Sequence, residues 1–303
     1  RQSHDYAEFM EKLGWTVERI CSSNHKTRHN IFIRRFPLLG SFIKVLRIKP
    51  PVLFAKIEEI AKKYRAYRVQ IEPGITISNN PISNEQSPMN NDQLIMTNDQ
   101  YNKYGYKKAK NSFAPTRSIH INLNPSEKKI VAGFSPEKRR AIRKAVKNKI
   151  KVCPSEDINS FIDLKNRQLW PFGFLLSGEI KTLWKVFSPN GQATLLLAFT
   201  PPGCETEKPI AGVLLLFHDG VSYYWLASST ALGKKLSAPG LLVWEAIKFS
   251  RKRGYKLFDF EGVEDTRFPQ TKNWAGFSKF KKGFGGEEIF YDGPIQKLFW
   301  PTL

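Results

Sequence analysis

Hydrophobic positions in the first part of the chain follow two different periods. An apolar stripe with helical spacing predicts a short amphipathic helix that ends at Gly14. The stripe consists of Tyr6, Phe9, Met10 and Leu13. Alternating apolar residues predict strands at 15–21, 30–36, 41–48 and 66–71, and a second helical stripe predicts a helix at 52–64. This order indicates a mixed α/β unit.

Residues 78–100 break the pattern. They are rich in Asn, Ser, Gln and Pro and have no hydrophobic period. Such a composition predicts a mobile insertion. The pattern resumes near Tyr104, and 118–123 is expected to be a strand.

The second half of the chain has a clear order of elements. Helices are predicted at 157–170, 179–187 and 239–254, and strands at 193–200, 209–218, 221–229 and 256–262. Asp219-Gly220 predicts a tight turn, so the first three of these strands should form an antiparallel meander. The layout is typical of acyltransfer folds of the N-acetyltransferase (GNAT) type. The first half shows a weaker version of the same order.

The net charge of the chain indicates a class of binding partner. The formal charge is +21 at pH 7, which favours phosphate-bearing partners such as nucleic acid, nucleotide-linked substrates or an anionic membrane face. Seven basic residues lie within 138–149, on a predicted helix that Ser135 and Pro136 begin. They are Lys138, Arg139, Arg140, Arg143, Lys144, Lys147 and Lys149. A solvated helix face normally mixes signs, so this helix is predicted to contact backbone phosphates.

Cysteine and histidine spacing indicates neither a disulfide framework nor a metal site. Cys21, Cys153 and Cys204 are far apart, which suits a reducing compartment. The five histidines have no metal-ligand spacing. No apolar run approaches the roughly 18 residues of a membrane span. We therefore expect a cytoplasmic protein without a metal, a signal peptide or a membrane-spanning segment.

The segment 274–286 combines aromatic, cationic and glycine residues. That combination suits an anionic or oxyanionic ligand, and the plain alternative is a glycine-containing turn with solvated lysines. Acyl-CoA enzymes of the GNAT type carry a glycine-rich pyrophosphate loop before their long helix. Here the equivalent stretch, 230–240, retains only Gly233 of that loop, and Pro239 removes a backbone donor. An acyltransfer layout without this loop favours an acyl donor other than CoA.

Five motifs together resemble a known family. They lie at 6–15, 139–145, 238–248, 258–262 and 280–286, and include Phe258-Asp-Phe-Glu-Gly262 and Phe280-Lys-Lys-Gly-Phe-Gly-Gly286. In this order they resemble the Fem-type aminoacyl-tRNA-dependent peptidyltransferases, which add amino acids to the peptidoglycan stem peptide. The resemblance extends over nearly the whole chain apart from the insertion. It departs from the family at 170–174, and no heptad run predicts the helical arm of some members.

The resemblance implies an α/β (α+β) fold with two acetyltransferase-like (GNAT-type) domains in tandem, facing across a cleft. The first domain would comprise 1–117 plus 289–303, because the C-terminal strand returns to it, and the second would comprise 118–288. The implied donor is an aminoacyl-tRNA charged with Gly, Ala or Ser. The implied acceptor is UDP-MurNAc-pentapeptide or its lipid-linked form, lipid II, with peripheral contact to the inner membrane face. We expect a monomer without a cofactor.

The implied reaction is the attack of an amine on an ester, which needs alignment and placed charge more than a nucleophilic side chain. In the family the Phe-Lys pair, here Phe280 and Lys281, lies at the reaction site. Lys281 would steady the oxyanion or the tRNA terminal phosphate–ribose. Asp259 or Glu261 would be the base, although Asp259 could instead satisfy backbone donors.

The resemblance also suggests binding residues. Those expected to bind the acceptor diphosphate are Arg34, Arg35 and Arg167. Tyr224, Gly285 and Gly286 are further candidates for binding a substrate. Those expected to bind tRNA are Arg139, Arg140, Arg143, Lys144 and Lys147. Two alternatives stay open at this point: a CoA-dependent N-acyltransferase with an unusual loop, and a non-catalytic RNA-binding protein.

Overall fold

A computed structural model describes residues 1–21, 28–50, 52–74, 76–77, 101–169, 172–201 and 208–299. The predicted insertion at 78–100 lies outside these ranges. The chain divides into two compact units. Unit 1 comprises Arg1–Arg117, Glu264–Asn273 and Ile289–Leu303, and unit 2 comprises Ser118–Val263 and Trp274–Glu288.

The helices and strands of the described residues follow the predicted order closely. The α-helices are α1 (His4–Lys12), α2 (Phe54–Lys63), α3 (Glu127–Ala132), α4 (Pro136–Lys147), α5 (Ile158–Gln168), α6 (Ser177–Phe187), α7 (Ala231–Lys235), α8 (Ala238–Lys252) and α9 (Ala275–Lys282). The strands up to the middle of the chain are β1 (Thr16–Cys21), β2 (Arg28–Phe36), β3 (Gly40–Ile48), β4 (Ala66–Pro73), β5 (Thr76–Ile77), β6 (Lys107–Lys108), β7 (Arg117–Asn122) and β8 (Lys151–Ser155). The remaining strands are β9 (Ala193–Phe199), β10 (Ala211–His218), β11 (Val221–Ser229), β12 (Leu257–Asp259), β13 (Glu287–Tyr291) and β14 (Ile295–Leu298). Short 3₁₀ helices lie at Gly173–Leu176 and Pro269–Trp274.

Unit 1 is built on a six-stranded sheet with the order β1-β2-β3-β4-β14-β6. Strands β3 and β4 are parallel, because α2 provides the crossover between them, and the other pairs are antiparallel. Ile57 and Ala61 of α2 are buried in the core of this sheet. Strand β14 pairs with β4 at Ile295 and Ile71, so the C-terminal strand does return to the first unit.

Unit 2 contains six strands in the order β7-β12-β11-β10-β9-β8. The predicted meander β9-β10-β11 is antiparallel, and β12 adds to β11 in parallel after the crossover helix α8. Residues 195–199 and 211–217 are buried without alternation, as expected of strands covered on both faces. Helices α5 and α8 both pack on these strands.

Three expectations need correction, and two short helices were not predicted. The predicted strand 256–262 is limited to Leu257–Asp259, because Glu261 adopts a left-handed backbone with φ 58°. The plain alternative of a turn over 274–286 is wrong up to Lys282, where α9 ends. The short helices α3 and α7 were not predicted. Cys153 is disulfide-bonded and Cys21 is free, so cysteine spacing no longer argues for a reducing compartment.

None of the helices in the described ranges is both long enough and apolar enough to cross a membrane.

Candidate active site

Unit 2 contains a cavity of about 630 Å³ at the N-terminal end of α8. Its walls come from α4, α5, β11, α7, the start of α8, and α9. Four lysines line it, and no acidic residue does among those that the structure describes. They are Lys138, Lys165, Lys234 and Lys281. The electrostatic character of the cavity is therefore cationic, with Tyr224, Trp225, Phe277 and Phe280 providing aromatic surface.

The cavity opens where β12 stops. Strand β12 pairs with β11 only from Val221 to Tyr223, whereas β11 continues to Ser229. Among the described strands, none pairs with the second half of β11 on the β12 side, and residues 224–229 form a wall of the cavity. The carbonyl of Ala227 on this wall accepts a hydrogen bond from Lys165 Nζ at 2.8 Å. The early end of β12 thus makes room for a ligand.

Lys281 lies in the last turn of α9 and is only 9% exposed. Its ammonium donates to the carbonyl oxygens of Phe260 and Gly262, each at 2.7 Å. Burial lowers the pKa of Lys281 to about 8, although the charges of Glu261 and Asp259 oppose that shift. An ammonium has three N–H donors, so these two carbonyls leave one donor for a ligand in the cavity.

Asp259 shapes the backbone that holds Lys281. Its carboxylate accepts the N–H of Glu261 at 2.7 Å and the hydroxyl of Ser118. His120 Nε2 lies 3.2 Å from the same carboxylate. Burial raises the pKa of Asp259, but His120, Ser118 and the Glu261 N–H together outweigh it and hold this pKa below its usual value.

This arrangement separates Asp259 from the cavity. Asp259 is 5% exposed and does not line the cavity. Its bonds fix the turn at 259–262, whose carbonyls converge on the lysine. Ser118 and His120 were not singled out from the sequence. The only signal was that they alternate on the strand predicted at 118–123, which places both side chains on one face.

Three of the cavity lysines could not be grouped from the sequence, because they come from distant segments. Lys138 Nζ lies 4.2 Å from the centre of the Phe280 ring. Burial lowers the pKa of both Lys138 and Lys165. Lys234 belongs to the short helix α7. Of the residues predicted to form the site, Phe280, Lys281 and Tyr224 are brought together here.

The basic residues of α4 divide into two groups. Arg139 donates from one nitrogen to the carbonyls of Ala132 and Phe134, so it anchors the end of α3. The exposed members are spaced at i, i+3, i+4 and i+7, which places them on one helix face. They are Arg140, Arg143, Lys144 and Lys147.

The residues predicted to bind the acceptor have mixed surroundings. Arg34 donates to the carbonyls of Leu13 and Gly14 at 2.7 and 2.9 Å, so it stabilises the end of α1. Arg35 is exposed and lies over the Tyr64 ring at 4.9 Å. Arg167 is exposed on α5 but does not line the cavity, although the neighbouring Gln168 does.

Gly285 and Gly286 allow a close backbone approach. Both have positive φ, 69° and 92°. A Cβ at either position would lie 2.5 Å from a backbone oxygen, of Gly133 and His120 respectively. Neither glycine lines the cavity, so the structure explains their presence by packing within unit 2.

The start of α8 is poorly suited to a CoA pyrophosphate. The N–H of Gly233 donates to Thr230 Oγ1 at 3.0 Å, and a Cβ there would lie 2.3 Å from the Ile210 carbonyl. Pro239 stands in the first turn of α8 and has no N–H. The backbone donors that such a loop offers are therefore engaged or missing.

A metal site was not expected from the sequence. Of the described residues, only His4, Asp5 and Glu8 form a group of three or more side chains that lie close enough to share an ion.

Comparisons with known proteins give a family match and several structural likenesses. Residues 203–299 match the model of the FemAB family. No curated protein sequence matches the chain. The chain is similar to the crystal structure of FemX at 17% identity, with 98% of this chain and 92% of that chain covered and a TM-score of 0.79. It is also similar to L-PGS from Bacillus licheniformis, at 12% identity, 98% and 92% coverage and a TM-score of 0.58.

A tandem GNAT protein from the clavulanic acid biosynthesis pathway is similar at 9% identity, with 91% of this chain and 84% of that chain covered and a TM-score of 0.52. At such identities these likenesses establish the fold alone. The expected tandem GNAT-type fold is confirmed.

Proposed function

We propose, from the match of residues 203–299 to the FemAB family model, that the protein is an aminoacyl-tRNA-dependent transferase of peptidoglycan synthesis. It moves Gly, Ala or Ser from aminoacyl-tRNA to the stem-peptide amine of UDP-MurNAc-pentapeptide or lipid II. The observation that supports this most is the cationic cavity at the start of α8, in a GNAT-type unit that lacks the donors for a CoA pyrophosphate.

The cavity is assigned to the aminoacylated 3′ end of the tRNA. Its volume of about 630 Å³ is within the usual range for small-ligand sites. Lysines attract the terminal phosphates, and aromatic side chains provide stacking surface for a base. Lys138, which lies over Phe280, combines both features at one wall. The exposed face of α4 would contact phosphates further along the acceptor arm without reading sequence.

Lys281 is assigned to the reacting ester. The remaining N–H of its ammonium would donate to the carbonyl oxygen as it becomes an oxyanion, while two protein carbonyls hold the group in place. When the tetrahedral intermediate collapses, the C–O bond to the ribose breaks and the ribose oxygen takes up a proton. The attacking amine loses a proton in the same reaction, and this proton balances the one that the ribose oxygen takes up. Asp259 positions the turn that holds Lys281 and does not itself meet the substrate.

The two alternatives make different demands on this site. A CoA-dependent acyltransferase needs the Gly233 N–H, which Thr230 already occupies. A non-catalytic RNA-binding protein would use the exposed face of α4 but has no use for a buried lysine held by two carbonyls.

A transfer assay tests the proposal. Radiolabelled Gly-, Ala- and Ser-tRNA are incubated with UDP-MurNAc-pentapeptide or lipid II and with the wild type, Lys281→Ala or Lys279→Ala. Lys279 is the matched control because it lies on the same helix but is exposed and does not line the cavity. We expect label to reach the acceptor with the wild type and Lys279→Ala, and a loss of at least about 100-fold with Lys281→Ala. Absence of transfer to both acceptors, with tRNA binding intact, would refute the assignment.

A further inference from the structure

A cluster of large apolar side chains is exposed where α5 gives way to α6. Phe172, Phe174 and Leu175 are 68%, 63% and 65% exposed, and Leu169 is 39% exposed. We call these four residues the apolar surface. Single exposed apolar residues are ordinary on a protein, but four within seven positions are not. The apolar surface is therefore a candidate binding surface.

The core does not account for this cluster. Helices α5 and α6 already bury their own apolar stripes, which include Phe161 and Leu164 in the first and Ile180 and Leu183 in the second. The 3₁₀ helix Gly173–Leu176 lies between them and contacts both. The apolar surface stands outside these packed faces.

The charges around the apolar surface favour an anionic partner. Between residues 166 and 185 there are three basic residues and one acidic residue, Glu179. Arg167, Lys181 and Lys185 are exposed, and the last two are one turn apart on α6. Aromatic and aliphatic side chains flanked by cations are the combination that binds the interface of a bilayer containing anionic lipids.

We propose that the apolar surface docks on an anionic lipid bilayer. Phe172, Phe174 and Leu175 enter the boundary between head groups and acyl chains, while Arg167 and Lys181 lie among the anionic head groups. The apolar surface is also next to the cavity in the chain. Lys165 and Gln168 of α5 line the cavity, and Leu169 of the apolar surface follows directly. A bilayer bound here lies beside one wall of the cavity.

If the proposed function holds, docking favours the lipid-linked acceptor over the soluble one. The preference for the lipid-linked acceptor rests on the proposed function, whereas bilayer binding itself does not. Vesicle binding and transfer to the soluble acceptor are therefore measured separately, so that failure of either is recognised.

The test is sedimentation with vesicles of phosphatidylcholine alone or with a third of phosphatidylglycerol. The full chain is compared with Phe172→Glu/Leu175→Glu and with Leu38→Glu/Leu39→Glu. The second variant is the matched control, because Leu38 and Leu39 form another exposed apolar pair, in unit 1. All the substituted side chains are exposed, and circular dichroism verifies that each variant is folded.

We expect the wild type to bind the anionic vesicles, and more weakly as salt rises because the charges are screened. The Phe172→Glu/Leu175→Glu variant should bind at least about 10-fold more weakly, with the control unchanged. Three outcomes would overturn the proposal: no binding of the wild type at low salt, equal binding by both variants, or a loss confined to the control. Self-association that only the first variant abolishes, without vesicle binding, would identify a second copy of the chain as the partner instead.

Discussion

The buried ammonium of Lys281 allows a quantitative prediction about Lys281→Met. In the folded protein the pKa of Lys281 is lowered from 10.5 to about 8. At roughly 1.36 kcal/mol per pKa unit, keeping this charge buried at neutral pH costs about 3 kcal/mol. Methionine removes that cost, but leaves the carbonyls of Phe260 and Gly262 without their donor, at about 1–3 kcal/mol each. At neutral pH we therefore expect the variant to be similar in stability to the wild type or modestly less stable, while transfer is lost.

The sign of the pH dependence follows from the direction of the shift. Between pH 8 and 10.5 the folded wild type has released the Lys281 proton, whereas the unfolded chain still holds it. The unfolded state then binds more protons, so the stability of the wild type rises with pH in this window. The variant lacks this contribution. The wild type should thus gain about 3 kcal/mol relative to Lys281→Met between pH 7.5 and 10.5.

Urea unfolding of both proteins at several pH values measures this gap, and other titrating groups cancel in the difference. A gap that stays flat with pH would mean that Lys281 has an ordinary pKa and is not buried as a charge. A gap that moves in the opposite direction would refute the reasoning altogether.

Three further predictions concern packing, an ion pair and RNA binding. Gly286→Ala should lower the free energy of unfolding by about 3 kcal/mol, because the alanine Cβ would lie 2.5 Å from a backbone oxygen. Gly220→Ala should lower it by only about 1 kcal/mol, because Gly220 has positive φ but no atom within 4 Å of a Cβ. Thermal unfolding measures both. Asp265→Asn should lower the free energy of unfolding by about 2 kcal/mol near pH 7. Burial opposes ionisation of Asp265, but Arg267 and Thr116 still lower its pKa, so that difference should vanish as the pH falls through the folded pKa. Arg143→Gln/Lys147→Gln should lower the salt slope of tRNA binding by roughly 1 to 2, as filter binding at several salt concentrations would record.

The fold was accessible from the sequence because apolar residues alternate or repeat clearly in both halves. The strands at 30–36, 41–48 and 221–229 are examples in which periodicity alone located the element to within two residues. Helix α9 was not predicted, since Gly283, Gly285 and Gly286 suggested a turn, whereas the segment is helical up to Lys282.

The site was only partly accessible. Phe280 and Lys281 were identified by resemblance and do line the cavity. Lys138, Lys165 and Lys234 were not grouped with them, because only the topology of unit 2 brings three distant helices to one cavity. Gly285 and Gly286 show the reverse case: a glycine pattern that suggested a ligand is explained by close backbone contact.

The assignment of the cavity to the 3′ end of an aminoacyl-tRNA is best tested by equilibrium binding of a stable amide analogue. The analogue carries an amino acid in amide linkage to the terminal adenosine of a short CCA oligonucleotide, and acetyl-CoA is the competitor. We predict that the analogue binds, that Lys138→Ala and Lys165→Ala each weaken it, and that acetyl-CoA does not displace it. Tight binding of acetyl-CoA with none of the analogue would contradict the assignment.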